Sequence, residues 1–502
     1  MIFFKKWVSG LLLEAKLIEA ETDIQYVSFA PVAPFDNFDC AIRCKRIPQN
    51  SDVLLNNFQS PFIESISLIG NYYNVLFNLN GVENILLDIA VNENYGYSNL
   101  FEDQRIVVEH TSMTPVYPVN LATFRSSIIG SSIAATFRLL GAKVRTHYFV
   151  EDTARQLNLL SSGVKSCSGE WQSNGKIDHT VGRIFTMAYL LNKGIQPDFA
   201  TVDRMFPLAN KNVCLECLCK QDVTQDYLSD ISQICVAGHE KTLNDSFARV
   251  DCFDYEYNLL DNVDCSIFAN LEETERLFAT GTLPYYIKNA VYYAYLKSQS
   301  DMVFSVVSSR QREVIKMSLK ELASPKGIKV VHFGDVVVLH NGEKKIDSIR
   351  DGVFNSVDQY VLELAATCAV SQAQACAAVR YHMLSCRNED PCVFDDDCQT
   401  TVELIKSYSD LLCRLKTLRT NVSHIVDVSF THATIKEILR FEEVVQRLSK
   451  DFSYANLIAY VEKLKELLEV AIERGCINRV IADASRRVFE NAFRLMGIDI
   501  LI

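Results

Sequence analysis

Residues 105–150 read RIVVEHTSMTPVYPVNLATFRSSIIGSSIAATFRLLGAKVRTHYFV, and this stretch decides the fold class. Arg105 to His110 is a short run rich in β-branched apolar residues, which predicts a strand. Met113 to Pro118 holds two prolines, so the chain must leave the strand as a loop. From Leu121 to Leu140, Ile128, Ile129, Ile133, Ala134 and Phe137 recur at helical spacing, and Gly141 ends the run. Lys143 to Val150 predicts a second strand. Strand, loop, helix and strand in this order form a βαβ unit. Such a unit demands a parallel sheet, with a ligand crevice at the carboxyl ends of its strands.

The rest of the 502 residues sorts around this unit. Residues 1–104 predict a small α+β module, with short β-rich runs at Ile24 to Phe29, Asn74 to Phe77 and Ile85 to Ala90. A helical stretch spans about 180 to 250, followed by strands near Met302 to Val307 and Lys329 to Phe333. Beyond Val357 a 3.6-residue period dominates. It predicts helices at Val361 to Cys386, Thr401 to Leu418, Thr434 to Leu448, Leu457 to Arg474 and Ile477 to Met496. The expected division is therefore 1–104 as an α+β module, 105–355 as a Rossmann-like α/β domain and 356–502 as an all-α bundle.

With 48% hydrophobic and 22% charged residues, the chain has the composition of a folded globular protein. A net charge of −12 argues against a generic polycation, and no run is apolar enough to predict a membrane span. The charge is unevenly shared. Residues 401–502 hold 15 Lys+Arg and 14 Asp+Glu, a net of +1, which leaves −13 for the first 400. Arg479, Arg486, Arg487 and Arg494 fall on adjoining turns of the last predicted helix, so they form either a solvated face or a nucleic-acid contact. The 16 cysteines are scattered, and the start Met1-Ile2-Phe3-Phe4-Lys5-Lys6 is no secretory signal; both predict reduced thiols in the cytoplasm.

Val108-Glu109-His110-Thr111-Ser112-Met113-Thr114-Pro115, followed by Phe124-Arg125-Ser126-Ser127-Ile128-Ile129-Gly130, resembles the nucleotide-binding entrance of archaeal- and eukaryote-type arginyl-tRNA synthetases. The resemblance runs in order through Val150-Glu151-Asp152-Thr153-Ala154-Arg155-Gln156 and Lys176-Ile177-Asp178-His179. It continues at Gly281-Thr282-Leu283-Pro284-Tyr285 and at Asp301 to Gln311. Ala377-Ala378-Val379-Arg380-Tyr381 is similar to the entry of the family's DALR anticodon-binding bundle. Gly70-Asn71-Tyr72-Tyr73-Asn74 and Asp36-Asn37-Phe38-Asp39-Cys40-Ala41 are similar to motifs of its tRNA-elbow-binding module. The resemblance implies that module, a class I Rossmann-like catalytic domain and a DALR bundle. It also implies tRNA contacts at Asn74 and, in the tail, at Arg479, Arg486, Arg487 and Arg494.

The departures bear on chemistry. Class I synthetases stabilise the breaking triphosphate with two histidines on one loop and lysines on a mobile K-M-S-K loop. Here the first loop reads Asn120-Leu121-Ala122-Thr123, without an imidazole. The second falls on Gly342 to Ser348, where Lys344, Lys345 and Ser348 stand in a scrambled order with added acids. Lys316-Met317-Ser318-Leu319-Lys320 has the wanted letters but lies in a predicted helix, before the strand it should follow. Of the implied arginine pocket, Glu109, Ser112, Tyr285 and Gln311 are present, but Asn289 replaces the carboxylate that would face a guanidinium. The reading is a degenerate synthetase with no catalytic residues and no expected cofactor, and with ATP binding left open.

Other constellations are weaker. Cys214, Cys217, Cys235 and His239 have nearly zinc-finger spacing, yet their flanks read as helix interior. Cys386, Cys392 and Cys398 are regularly spaced but lack a CxxC pair. Asp178-His179 reads as a surface turn before a helix, with no nucleophile beside it. The resemblance then implies a non-catalytic tRNA-binding protein, with arginine tRNAs as the partner and no DNA or membrane. Degenerate DALR-domain proteins of this plan act as accessory factors for a tRNA-modifying methyltransferase, which makes such an enzyme a second expected partner. Two alternatives stand beside it: a divergent but active arginine–tRNA ligase, and a protein-interaction scaffold without RNA.

Overall fold

The computed structural model describes residues 3–29, 38–166, 175–196, 198–213, 226–261, 263, 265–279, 283–340, 342–347, 353–394, 397–418 and 428–499. The first unit is an antiparallel sheet of β1 (Ile24–Ser28), β2 (Cys40–Cys44), β3 (Ile63–Ile69) and β4 (Tyr72–Phe77), in the order β1-β2-β4-β3. Tyr73, Val75 and Phe77 alternate along β4 and are fully buried. The Ile85 to Ala90 run is not a strand. It lies inside the helix Leu79–Val91, because Val82, Ile85, Leu86 and Ile89 share the buried face at helical spacing.

The central sheet is wholly parallel, in the order β7-β6-β5-β8-β9: Cys252–Tyr255, Lys143–Val150, Arg105–Met113, Met302–Ser308 and Ile328–Phe333. The order reverses between β5 and β8, and the helix Leu121–Leu139 that follows β5 starts at this switch point. That helix lies so close to β5 that a Cβ at Gly130 would run into His110. Between β6 and β7 stand the helices Arg155–Ser166, Ile177–Asn192, Phe199–Met205 and Asp226–Asp245. Among these, Asp178 and His179 are fully buried rather than on a surface turn. His179 Nε2 lies 3.2 Å from Asp358 Oδ2, and Lys176 Nζ lies 2.7 Å from Asp178 and 3.0 Å from Asp358.

After β9 the chain makes a hairpin, β10 (Val336–His340) and β11 (Glu343–Ile346), and β12 (Cys392–Phe394) pairs with β10 in parallel. This small sheet joins segments from both sides of residue 355. The predicted Val361 to Cys386 helix is two, Val357–Cys368 and Gln372–Ser385, bent by 110°. Ala369 ends the first in the left-handed region at φ 51°, and Ser371 opens the second with a capping box to Gln374. The helices Asp397–Thr417, Val428–Asp451, Tyr454–Glu473 and Arg479–Leu495 complete the bundle. Among the described residues no single helix is long and apolar enough to cross a membrane.

Two buried arginines bind these parts together without a carboxylate. Arg125 donates to the carbonyl oxygens of Gly334, Asp335, Arg387, Asn388 and Asp390 at 2.8–3.3 Å. Arg380 donates to Met496 O, Ser246 O and Ser131 Oγ at 3.0, 2.7 and 3.1 Å, and burial pulls it down to about 10. A planar fork with five N–H groups suits this use, since it can satisfy several chain ends at once.

Candidate functional site

The start of the Leu121–Leu139 helix is where a parallel sheet of this order would receive an anion. The amides of Leu121, Ala122 and Thr123 are already engaged by the chain. Asn120 is the cap, and its Oδ1 accepts from Thr123 N at 2.8 Å. Leu121 N donates to Asn355 O at 3.2 Å, and Val357 N donates back to Val119 O at 2.9 Å, so residues 355–357 run over the helix start. Asp347 lies beneath them, almost completely buried. Its Oδ1 accepts from Asn355 N at 2.9 Å, and its carboxyl also feels the amides of Ala122 and Leu121. Burial pushes this carboxyl up to about 7, against the pull of Asn355 and those amides. Asn120 and Leu121 are buried, and Ala122 and Thr123 half-buried.

The expected lysines of the second loop stand on β11. Lys344 and Lys345 pair with Leu339 and Val338 across the hairpin, and Lys345 Nζ lies 3.6 Å from Glu343. Ser348 is outside the described residues. The Lys316 to Lys320 segment is helical, within Arg312–Glu321; Ser318 is buried and donates to Val314 O at 2.9 Å.

The carboxyl ends of β5, β6 and β7 bring the other predicted residues together around one that was not assigned to the site, Glu151. Its carboxylate accepts from Ser112 Oγ at 3.1 Å, Thr114 Oγ1 at 3.3 Å and Tyr285 Oη at 2.9 Å. Gln311 Nε2 donates to Tyr285 Oη at 3.5 Å, and Asn289 lies beside Tyr285. Burial raises Glu151 above its ordinary value. Glu109 accepts from Ser305 Oγ through Oε2, while its Oε1 is buried without a partner. Burial pushes Glu109 up to about 8, opposed by that hydrogen bond and reinforced by Glu151 and Asp254. Glu256 accepts from Thr153 and faces Lys288 Nζ at 3.1 Å. The group is rich in buried carboxyl oxygen and poor in cation, which suits a small cationic ligand. Glu151 could have been found in the sequence, since it directly follows Val150 at the end of a predicted parallel strand.

Two expectations need correction, the basic face of the last helix and the Asn74 contact. The arginines of the last helix do not form a free basic face, because that helix packs along Leu79–Val91. Arg479 Nε pairs with Asp483 at 2.7 Å and Arg487 NH1 with Glu490 at 2.9 Å; Arg486 pairs with Glu490 as well. Arg487 and Arg494 also donate to Ala90 O and Glu93 O, both at 3.3 Å. Asn74 is fully buried in β4 opposite Ala41 and Ser67, and neither of its amide atoms has a partner. Cys235 and His239 do meet, Sγ to Nε2 at 3.4 Å, but both ring nitrogens are in use. Nε2 lies 2.8 Å from Tyr117 O and Nδ1 2.8 Å from Tyr148 Oη, and burial lowers the imidazole to about 4. Cys214 and Cys217 are outside the described residues. Among the described residues no three His, Cys, Asp or Glu side chains are grouped to hold a metal.

Residues 83–188 match the family described as tRNA synthetases class I (R), catalytic domain. The arginine–tRNA ligase of Methanobrevibacter smithii is 26% identical over 328 residues, which are 60% of this chain and 55% of that enzyme. The chain thus spans little more than half the length of that relative. The arginine–tRNA ligase of Methanospirillum hungatei is 22% identical over 495 residues, 86% of each chain. Among solved structures, the Thermus thermophilus arginyl-tRNA synthetase superposes over 98% of this chain and 99% of that one, with a TM-score of 0.67 at 15% identity.

Proposed function

Since the chain belongs to the arginyl-tRNA synthetase family, we propose that it is a catalytically silent member that binds tRNA and does not activate an amino acid. One observation carries this reading: the start of the Leu121–Leu139 helix is roofed by Asn355 and filled by the Asp347 carboxyl. A triphosphate needs those amides and the positive end of the helix dipole, and the buried Asp347 carboxyl already occupies that place. No side chain among Asn120, Leu121, Ala122 and Thr123 can give a proton or a positive charge to a breaking phosphate. In its finer form the proposal has arginine tRNAs presented in the cytoplasm to a modifying methyltransferase. That form rests on family kinship.

The tRNA contact favoured by the geometry is the first unit rather than the last helix. Arg43, Lys45 and Arg46 are exposed at the end of β2, and the Arg43 guanidinium lies 5.8 Å from the Tyr72 ring centre. Exposed cations beside an aromatic face suit a phosphate backbone with accessible bases. A gel shift with total tRNA tests this. The expected result is a salt-sensitive complex that the double substitution K45E/R46E weakens about tenfold or more. Absence of any shift would support the scaffold reading instead.

A second reading, an active arginine–tRNA ligase, is favoured by the polar cluster around Glu151. There Glu109, Ser112, Tyr285 and Gln311 come together, with Glu151 supplying a carboxylate that Asn289 cannot. Arginine-dependent exchange of pyrophosphate into ATP separates the two readings.

A further inference from the structure

Between β6 and β7 the helices Ile177–Asn192 and Phe199–Met205 enclose a cavity of about 510 Å³ that the reading above does not use. Phe185, Tyr189, Leu190, Ile195, Val202 and Met205 give it apolar walls, with the ring centres of Phe185 and Tyr189 6.0 Å apart. Two polar groups on the wall are left without the contacts such groups normally find. Thr186 is almost completely buried, and its hydroxyl has no hydrogen-bond partner. Thr180, earlier on the same helix, donates back to Lys176 O at 3.3 Å; Thr186 makes no such bond. Lys193 stands at the helix end with its ammonium 5.8 Å from the Tyr189 ring centre, and among the described residues it has no ion pair. Asp198, also on the wall, is already engaged by Ala200 N at 3.1 Å and by the Thr201 hydroxyl. Lys193 and Ile195 are exposed, so the cavity opens to solvent on that side. The chain fixes this mouth. Gly194, at φ 71°, donates to Leu191 O and Ile195 N donates to Leu190 O, both at 3.0 Å, a pattern that locks the end of a helix.

Thr186, Tyr189, Leu190 and Lys193 are spaced i, i+3, i+4 and i+7, so they share one face of the helix. Seven residues rise about 10 Å, which sets the span from the buried hydroxyl to the exposed ammonium. We propose that this cavity binds a small fused aromatic carboxylate that carries a hydroxyl group at its far end. The rings lie along Tyr189 and Leu190, against Phe185, Val202 and Met205. The carboxylate meets Lys193 at the mouth, and the hydroxyl pairs with Thr186 inside. Apolar walls with a few polar groups at fixed separation are the usual make-up of a small-molecule site. Aromatic walls and a methionine sulfur favour a ring over an aliphatic chain, through offset stacking and sulfur–ring contact. A rigid ligand also loses little freedom on binding. Lys193 is the one cation on the described wall, so a single negative charge suits it and a nucleotide triphosphate does not. The site does not depend on whether the protein binds tRNA or activates an amino acid.

The test is isothermal titration of the whole protein with 6-hydroxy-2-naphthoate. The expected result is one saturable site with a Kd of about 100 μM or below. Two related compounds each remove one contact: 2-naphthoate lacks the hydroxyl, and 2-naphthol lacks the carboxylate. Each should bind the wild type about fivefold more weakly. Lys193→Ala should weaken the hydroxy acid about fivefold and leave 2-naphthol unchanged. Thr186→Val, which keeps the side-chain shape, should weaken the hydroxy acid about fivefold and leave 2-naphthoate unchanged. The unchanged compound in each pair shows that the variant is folded. The proposal is overturned if the hydroxy acid gives no binding at about 1 mM, or if its heat grows without saturation. It is equally overturned if either substitution leaves its affinity unchanged. Equal affinities of the wild type for all three compounds would overturn it without any variant.

Discussion

The two ends of the crevice contrast sharply. At the start of the Leu121–Leu139 helix the amides of Leu121, Ala122 and Thr123 are met by the chain itself: Asn120 caps, Asn355 accepts, and the buried Asp347 carboxyl takes the remaining place. Around Glu151 the carboxylate is met by Ser112, Thr114 and Tyr285, while Glu109 Oε1 has no partner, as Asp347 Oδ2 has none at the helix start. What separates the ends is the kind of group covered: at one the helix amides are taken up by the chain, and at the other the carboxyl groups stand together with few cations. On the proposed reading, loss of activation chemistry at one end does not require loss of recognition at the other. A polar site that no longer meets a ligand must be satisfied internally, or it costs stability each time the protein folds.

The largest expected effect comes from Arg125, whose contacts hold the hairpin side of the closed end. Arg125→Met should destabilise the fold by about 3–5 kcal/mol in urea unfolding, because several buried carbonyl oxygens lose their donor. A loss under about 1 kcal/mol would mean that the loops close without it. Next come the buried carboxyls, one at each end. Asp347 and Glu109 bind their protons more tightly folded than unfolded, so they favour the folded state below about pH 4. That contribution fades as pH rises through about 7 for Asp347 and about 8 for Glu109. Asp347→Asn and Glu109→Gln should each flatten the fall in stability between about pH 5 and 7, by up to about 1.4 kcal/mol per pH unit. Unchanged slopes would show both carboxyls to be solvated.

A smaller effect separates the ends by ligand. Arginine at ten times its Kd should stabilise the protein by about 1.4 kcal/mol in a thermal melt, while ATP with Mg²⁺ should not move it. Glu151→Gln should abolish the arginine effect. A shift with ATP alone would break the comparison. The smallest effect belongs to Lys345, a strand residue 3.6 Å from Glu343, where Lys345→Ala should change stability by less than about 0.5 kcal/mol.

Much of the frame was legible because periodicity is local. The Lys143–Val150 strand has its predicted ends, and the Leu121–Leu139 helix stops one residue short of the prediction. Ile85 to Ala90 misled because a short apolar run fits either a strand or a buried helix face. The break at Ala369 carried no glycine to announce it. Of the site, Ser112, Tyr285 and Gln311 were legible as letters, but their meeting at Glu151 depends on strands far apart in sequence. The arginines of the last helix show the converse. Their spacing was read correctly, yet only the fold reveals that the Leu79–Val91 helix lies against them, offering its carbonyl oxygens.

Arginine-dependent exchange of labelled pyrophosphate into ATP, measured with and without tRNA on the whole protein, tests the central claim most directly. The closed helix start predicts no exchange above background under either condition. Exchange that depends on arginine and disappears with Glu109→Gln would contradict the account, and would mean that Asn355 and Asp347 move aside for the nucleotide.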